Sequence, residues 1–185
     1  MIRRMNAMVL HALTALMVLF CVGAAHAQSI GVEAFYGRWE GSGIAEDPDN
    51  LFLSMTARDL DVRVEPVTGG GFTVTWTTLI RVGANTANPE IRRREASLTF
   101  GPRAPMGFYP ALNSSDPLTG GVMSWARIEG QTLSVHQMVM IDEGGYALTS
   151  YDRTLAAPGM ELFFQRQENG EITRTVRARL VKTED

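Results

Sequence analysis

Few side chains in this 185-residue chain can carry covalent or metal chemistry. There is one cysteine, Cys21, and there are three histidines, His11, His26 and His136. All but His136 fall within residues 1–27, which read as a removable leader, so a mature chain keeps a single imidazole. That excludes a thiol nucleophile, a thiolate metal site and any triad needing a second histidine. Carboxylate pairs can be drawn among the 20 acidic residues, but none stands out by spacing. The acidic stretch Glu46, Asp47, Asp49 and Asn50 lacks the spacing and glycine of a calcium loop and reads as a solvated turn. No phosphate-binding or dinucleotide fingerprint occurs, since Gly69–Gly71 opens a strand and not a helix. No metal and no resident cofactor is therefore expected. Tyr151, Asp152 and Arg153 are polar groups an enzyme can use, but alternation sets Asp152 opposite both neighbours unless a bulge intervenes.

Binding residues are easier to nominate. The longest irregular connection, residues 101–121, carries Met106, Phe108 and Tyr109 between prolines and glycines, and loops of that length often serve as lids. Four charges fall on faces shared with apolar neighbours. Arg94 and Arg92 alternate in phase with Ala96, Leu98 and Phe100; Asp152 with Leu148 and Ser150; Arg166 with Leu162 and Phe164. A charge inside a protein must be paired, solvated or used on a ligand. An Arg94–Asp152 pair, or an arginine awaiting a ligand carboxylate, suits a site for an amphipathic acid. Whether Phe72, Trp76, Phe100, Trp125 and Phe164 stack across the interior decides whether it is open or filled. His136 shares its face with Met138 and Met140, while Leu133 and Val135 mark the other face as interior. The candidate ligand-binding set is Trp39, Trp76, Arg94, Met106, Phe108, Tyr109, Trp125 and Asp152.

The elements that must position these residues are strands. The chain opens with Arg3 and Arg4, an apolar stretch, and small residues at Ala25 and Ala27, the three parts of a secretory signal peptide with cleavage after Ala27. Losing it removes two arginines and takes the formal net charge from −3 to −5, which argues against a general nucleic-acid binder. No membrane span is left in residues 28–185. Beyond residue 35, apolar residues alternate with polar ones. Phe72, Val74, Trp76, Thr78, Ile80 and Val82 share one face, as do Leu60, Val62 and Val64, then Leu133, Val135, Val139 and Ile141, then Ile172, Val176, Ala178 and Leu180. Turn residues at 69–71, 129–131, 142–145, 157–159 and 168–171 separate such runs. The pattern predicts about nine strands, near 36–46, 55–66, 72–83, 90–100, 121–129, 131–141, 146–156, 160–167 and 171–182. Short helical turns fit only 29–35 and 47–54. Consecutive strands with short connections form an all-β, antiparallel up-and-down meander, and closure into a barrel of about 8–10 strands would remove its edges. Arginines at 92–94, 174, 177 and 179 put charge on both strand faces, which a lipid-facing outer-membrane barrel does not tolerate.

The first strand begins Gly37-Arg38-Trp39, after a short N-terminal segment. This resembles the GxW signature of the lipocalins and the wider calycin group. The resemblance implies that Trp39 closes the barrel base and that an arginine of the last strand, Arg174, Arg177 or Arg179, packs over it. The longer form Gly37-x-Trp39-x-Gly41-x-Gly43 is similar to the start of nitrobindin-type haem barrels, where an axial ligand is needed and His136 is the one imidazole on offer. The chain departs from many lipocalins in having no mature cysteine for a bracing disulfide. The glycines also have a plain structural use, letting a strand bend as a barrel closes.

Together these readings describe residues 28–185 as an exported, periplasmic or secreted, soluble binding protein for a small apolar or amphipathic molecule. Alternatives are an interaction or inhibitor protein with a filled barrel, a calycin-fold enzyme, or a haem binder. Function inferred from fold is analogy.

Overall fold

The computed structural model describes residues 30–46, 55–82 and 90–184. The leader expected at residues 1–27, the helical turn expected near 47–54 and most of the acidic stretch 46–50 lie outside the described residues. A 3-10 turn, Val32–Phe35, opens the fold. It is followed by β1 Gly37–Glu46, β2 Met55–Val67, β3 Gly71–Val82, β4 Glu90–Phe100, β5 Phe108–Pro110, β6 Met123–Glu129, β7 Thr132–Met140, β8 Tyr146–Ala156, β9 Gly159–Glu168 and β10 Glu171–Thr183. Nine of these stand where alternation places them. The tenth, β5, is three residues long and ends in a proline, so it has too little length to show a period of two. No described helix is long and apolar enough to cross a membrane.

All ten strands form one antiparallel sheet in the order β4-β3-β2-β1-β10-β9-β8-β7-β6-β5. Each neighbour pair is a hairpin except one, in which the first strand lies beside the last. The sheet curls until its two edges meet at the base. Phe100 of β4 bridges Ala111 just past β5. The Gly101 N–H donates to the Pro110 carbonyl at 2.9 Å and the Leu112 N–H to the Thr99 carbonyl at 2.8 Å. Toward the other end, β4 leaves this contact, and Ile91–Ser97 are exposed along an open edge. The result is an up-and-down half-barrel, sealed at one end and parted at the other.

The apolar faces point inward as the alternation requires. Leu60, Val62, Val64, Phe72, Val74, Leu98, Phe100, Leu133 and Val135 are all buried in one core. Aromatic packing fills the base. Phe72 stacks on Phe100 at 5.0 Å between ring centres and meets Tyr109 edge-on at 5.1 Å. The 3-10 turn plugs this end, with Phe35 fully buried. Trp39 stands beside it and its indole N–H donates to the Phe35 carbonyl at 2.9 Å, satisfying the one polar atom of a buried indole.

The cation over Trp39 is not an arginine of the last strand. The β1–β10 register sets Trp39 opposite Lys182, whose ammonium lies 5.5 Å from the indole centre. Arg177 lies over Phe163 at 4.4 Å, and Arg179 pairs with Glu161 at 3.1 Å, both on the outer face. Arg174 points inward at the far end. A register shift between Ile172 and Arg174 also throws Ile172 off the inner face it was expected to share with Val176, Ala178 and Leu180. Ile172 is half exposed.

The β1–β10 contact tolerates no side chain on its inner face near Gly41. A Cβ there would run into the Arg179 carbonyl, and one on Gly43 would meet the Arg177 carbonyl and the Ala178 side chain. Gly41→Val is expected to destabilise the fold by about 3 kcal/mol, roughly a 6–12 °C drop in Tm at this chain length. Thermal unfolding followed by circular dichroism checks it, and an unchanged Tm would refute the close approach.

Candidate ligand cavity

Above the aromatic base the barrel is hollow. A cavity of about 390 Å³ opens toward the parted end, a volume suited to a small organic molecule. Its wall comes from β2, β3, β4, β8, β9 and β10. Trp76, Tyr151 and Phe164 form a continuous aromatic side, with centroid distances of 4.9 Å for Trp76–Tyr151 and 5.0 Å for Tyr151–Phe164. Leu60, Val62, Leu162 and Val176 complete the apolar lining. The polar part consists of Arg58, Arg94, Arg153, Arg174, Thr78 and Glu95. A chain that is acidic overall thus encloses a cationic pocket.

Arg153 is the centre of this site. The β7–β8 register places it opposite Leu133, and the β8–β9 register opposite Leu162. Both are core residues, so the guanidinium is forced inward. It is 0% exposed. Its Nε and both terminal nitrogens have no hydrogen-bond partner. The charge rests on ring faces alone, 5.6 Å from the Trp76 centroid and 5.5 Å from that of Tyr151. Burial pushes its pKa down to about 10, with Tyr151 and Asp152 acting in the opposite sense. It stays protonated at neutral pH, where an unpartnered buried guanidinium costs several kcal/mol.

Nearer the mouth, Arg58 is half-buried and its Nε also lacks a partner. Burial lowers its pKa, and the nearby charges of Arg174 and Arg94 lower it further. Burial raises the Tyr151 phenol, against the pull of Arg153 and a hydrogen bond from Trp76. That phenol is neutral in the physiological range and can donate to an acceptor in the cavity.

The sequence-nominated residues divide between four places. Trp76 and Arg94 line the cavity. Trp39 and Tyr109 are buried in the base, so Tyr109 is core and not part of a lid. The loop after β4 lies at the sealed end, away from the mouth, because β4 runs from mouth to base. Met106, 85% exposed, Phe108 and Trp125 border a separate apolar groove of about 530 Å³ on the outside of the barrel. Asp152 lies on the outer face with Ser150 and Leu148, since its β7 partner is the outward Ser134. An Arg94–Asp152 pair is therefore ruled out, as the two project from opposite faces. The leucine at 148 suggested the wrong face of β8; the inner face is Ala147, Thr149, Tyr151 and Arg153.

His136 is on the outer face too. Its ring stacks on Trp125 at 5.1 Å and its Nδ1 shares a 2.9 Å hydrogen bond with the Ser150 hydroxyl. An axial ligand for a haem in the lumen would have to point the other way, so the residues do not fit a His136-bound haem. Among the described residues, no three His, Cys, Asp or Glu side chains gather as a metal site would need.

Arg153 was the residue that sequence reasoning undervalued. It enters the reading only beside Tyr151 and Asp152, as a polar group an enzyme can use. The usable signal was its phase with Tyr151 and Leu155, opposite Asp152.

Two stability effects follow. Removing the guanidinium while keeping the volume, as in Arg153→Met, is expected to stabilise the unliganded protein by about 1–3 kcal/mol. A higher Tm checks this, and a lower one would mean that the charge is satisfied. Burial lowers the His136 pKa, opposed by Asp152. A depressed folded-state pKa means the unfolded chain takes up the proton first. The contribution is therefore full above the ordinary histidine value of about 6.5 and is lost as pH falls through the lower folded value. His136→Asn is expected to flatten the decline in Tm between pH 7 and pH 5, which paired thermal melts across that range would measure.

No protein-family model matches the chain, and no curated protein sequence matches it either. Among solved structures, it is similar to the S-type phycobiliprotein lyase CPES from Guillardia theta, at 9% identity and a TM-score of 0.38, over 86% of this chain and 96% of that one.

Proposed function

We propose that this protein is an exported, soluble binding protein of calycin-like build that holds a small amphipathic acid in its barrel. The observation that carries the reading is Arg153, buried, charged and without a hydrogen-bond partner on the wall of an open cavity. A group this costly to bury is uncommon unless something else repays it, and a ligand carboxylate is the natural complement, accepting two N–H bonds in one plane. Trp76, Tyr151 and Phe164 offer flat faces to the rest of the molecule, which makes an aromatic or conjugated body the best match. The Tyr151 hydroxyl is in place to donate a further bond. The leader-like sequence of residues 1–27 supports the export half of the proposal, and the GxW start with Trp39 at the base supports the calycin half. The filled-barrel alternative agrees with the base but not with the hollow above it.

trans-Stilbene-4-carboxylate is a suitable probe, because it is fluorescent, flat and of a size that fits the cavity. It is expected to bind at least tenfold more tightly than stilbene-4-carboxamide, a difference of about 1.4 kcal/mol. Arg153→Met is expected to abolish that preference while leaving the amide affinity nearly unchanged. Fluorescence titration reads both quantities. Equal affinities for acid and amide in the unmodified protein would end the proposal.

A further inference from the structure

We infer that the ligand of this cavity is a diacid, with one acidic group seated on Arg153 and a second held at the mouth by Arg58 and Arg94. This rests on the binding reading above and narrows it to a class of molecule.

The first argument is how this protein treats its other arginines. Arg38 pairs with Asp61 at 2.8 Å, Arg93 with Glu95 at 2.8 Å, Arg166 with Glu168 at 2.9 Å and Arg179 with Glu161 at 3.1 Å. Nearly every strand that projects an arginine places an acid beside it. Arg58, Arg94 and Arg153 have no acidic side chain among the described residues within ion-pair distance. Arg103 and Arg177 have none either, but they lie outside the cavity against the Gly107 carbonyl and the Phe163 ring, whereas these three line it. The one carboxylate in the lining, Glu95, is already engaged by Arg93.

The second argument is stoichiometry. Arg153 presents one planar fork, which one carboxylate fills. The lining still holds Arg58, Arg94 and Arg174, close enough for the other two to weigh on the charge of Arg58. Arg58 and Arg94, two like charges at one rim, call for an anion between them. The Nε of Arg58 is buried and has no hydrogen-bond partner, which leaves part of that need unmet.

The third is placement. The registers lead from Arg58 to Arg153 through Gly43, Ala178 and Leu162, so the two guanidinium groups enter the cavity from strands four apart around the curled sheet. Acidic groups seated on both must reach across the lumen, which a rigid aromatic or conjugated diacid does and a short aliphatic one does not.

The test compares stilbene-4,4′-dicarboxylate with the monoacid and with stilbene-4,4′-dicarboxamide, by fluorescence titration at low salt on the full chain. The diacid is expected to bind about tenfold more tightly than the monoacid, a gain typical of an added charge-assisted contact. Arg94→Gln, on an exposed edge strand where folding is not at stake, and Arg58→Gln are each expected to remove most of that gain. The quantity read is the diacid-to-monoacid affinity ratio within each variant, so any general weakening of anion binding by the lost rim charge cancels. Monoacid and diacid binding alike, with the monoacid still preferred over amide, would overturn the diacid inference and leave the acid-binding reading standing. A diacid gain that survives both rim variants would overturn it as well. Loss of any preference for acids over the amide would bring down both.

Discussion

The pairing of the first strand with the last governs everything else in this molecule. Every other contact between neighbouring strands is a hairpin or a short return that local sequence can form alone. Joining β1 to β10 closes a segment of about 130 residues, an entropic cost that must be met by contacts made only once it is closed. The register it sets, with Trp39 opposite Lys182 and Gly43 opposite Ala178, fixes which end of the barrel is plugged. It also requires glycine at 41, because the two backbones approach so closely there. With that seam zipped, the inward faces of both arms converge. A filled base and a hollow top result.

The division between base and top is a division of labour between two energies. In the base, side chains such as Phe35, Phe72, Phe100, Leu133 and Val135 are fully buried, each contributing on the order of 1.5–3 kcal/mol. In the hollow, Arg153 withdraws several kcal/mol from that gain. The sum still favours folding because apolar burial is spread over many residues and the cost falls on one. A stable frame can therefore hold one group in a state it would never adopt in water. That is how a binding site is kept ready before its ligand arrives, at the expense of some stability.

Much of this was legible in the chain, and the failures have physical causes. Alternation located nine strands because each runs seven residues or more, and turn residues bounded them. It missed β5, where Phe108-Tyr109-Pro110 is too short to alternate and looks like loop. It assigned a lid to the residues after β4 because length and aromatic content were visible but the end of the barrel was not. Most instructive is β8. Its two faces are Leu148–Ser150–Asp152 and Ala147–Thr149–Tyr151–Arg153, and hydrophobicity favours the first. The second is inside, since cross-strand partners on β7 and β9 decide the face, and no single strand contains that information. Lys182 over Trp39 was missed for the same reason: the register chooses the cation, not its type.

The open edge of β4 has a dynamic consequence. Strands elsewhere in the wall are held on both sides, but Ile91–Ser97 have only β3 to hold them, as the link to the neighbourhood of β5 is confined to Phe100 and its immediate neighbours. A segment with one row of hydrogen bonds and exposed side chains belongs to the least protected class of structure, opening locally at a small fraction of the global free energy. Arg94 rides on that segment. The rim of the cavity is thus its most yielding part, while Arg153 sits on a strand clamped between two others. Capture at such a mouth would trade the freedom of one strand for the order of a liganded wall, so the slow exchange of β4 amides would become a report of occupancy.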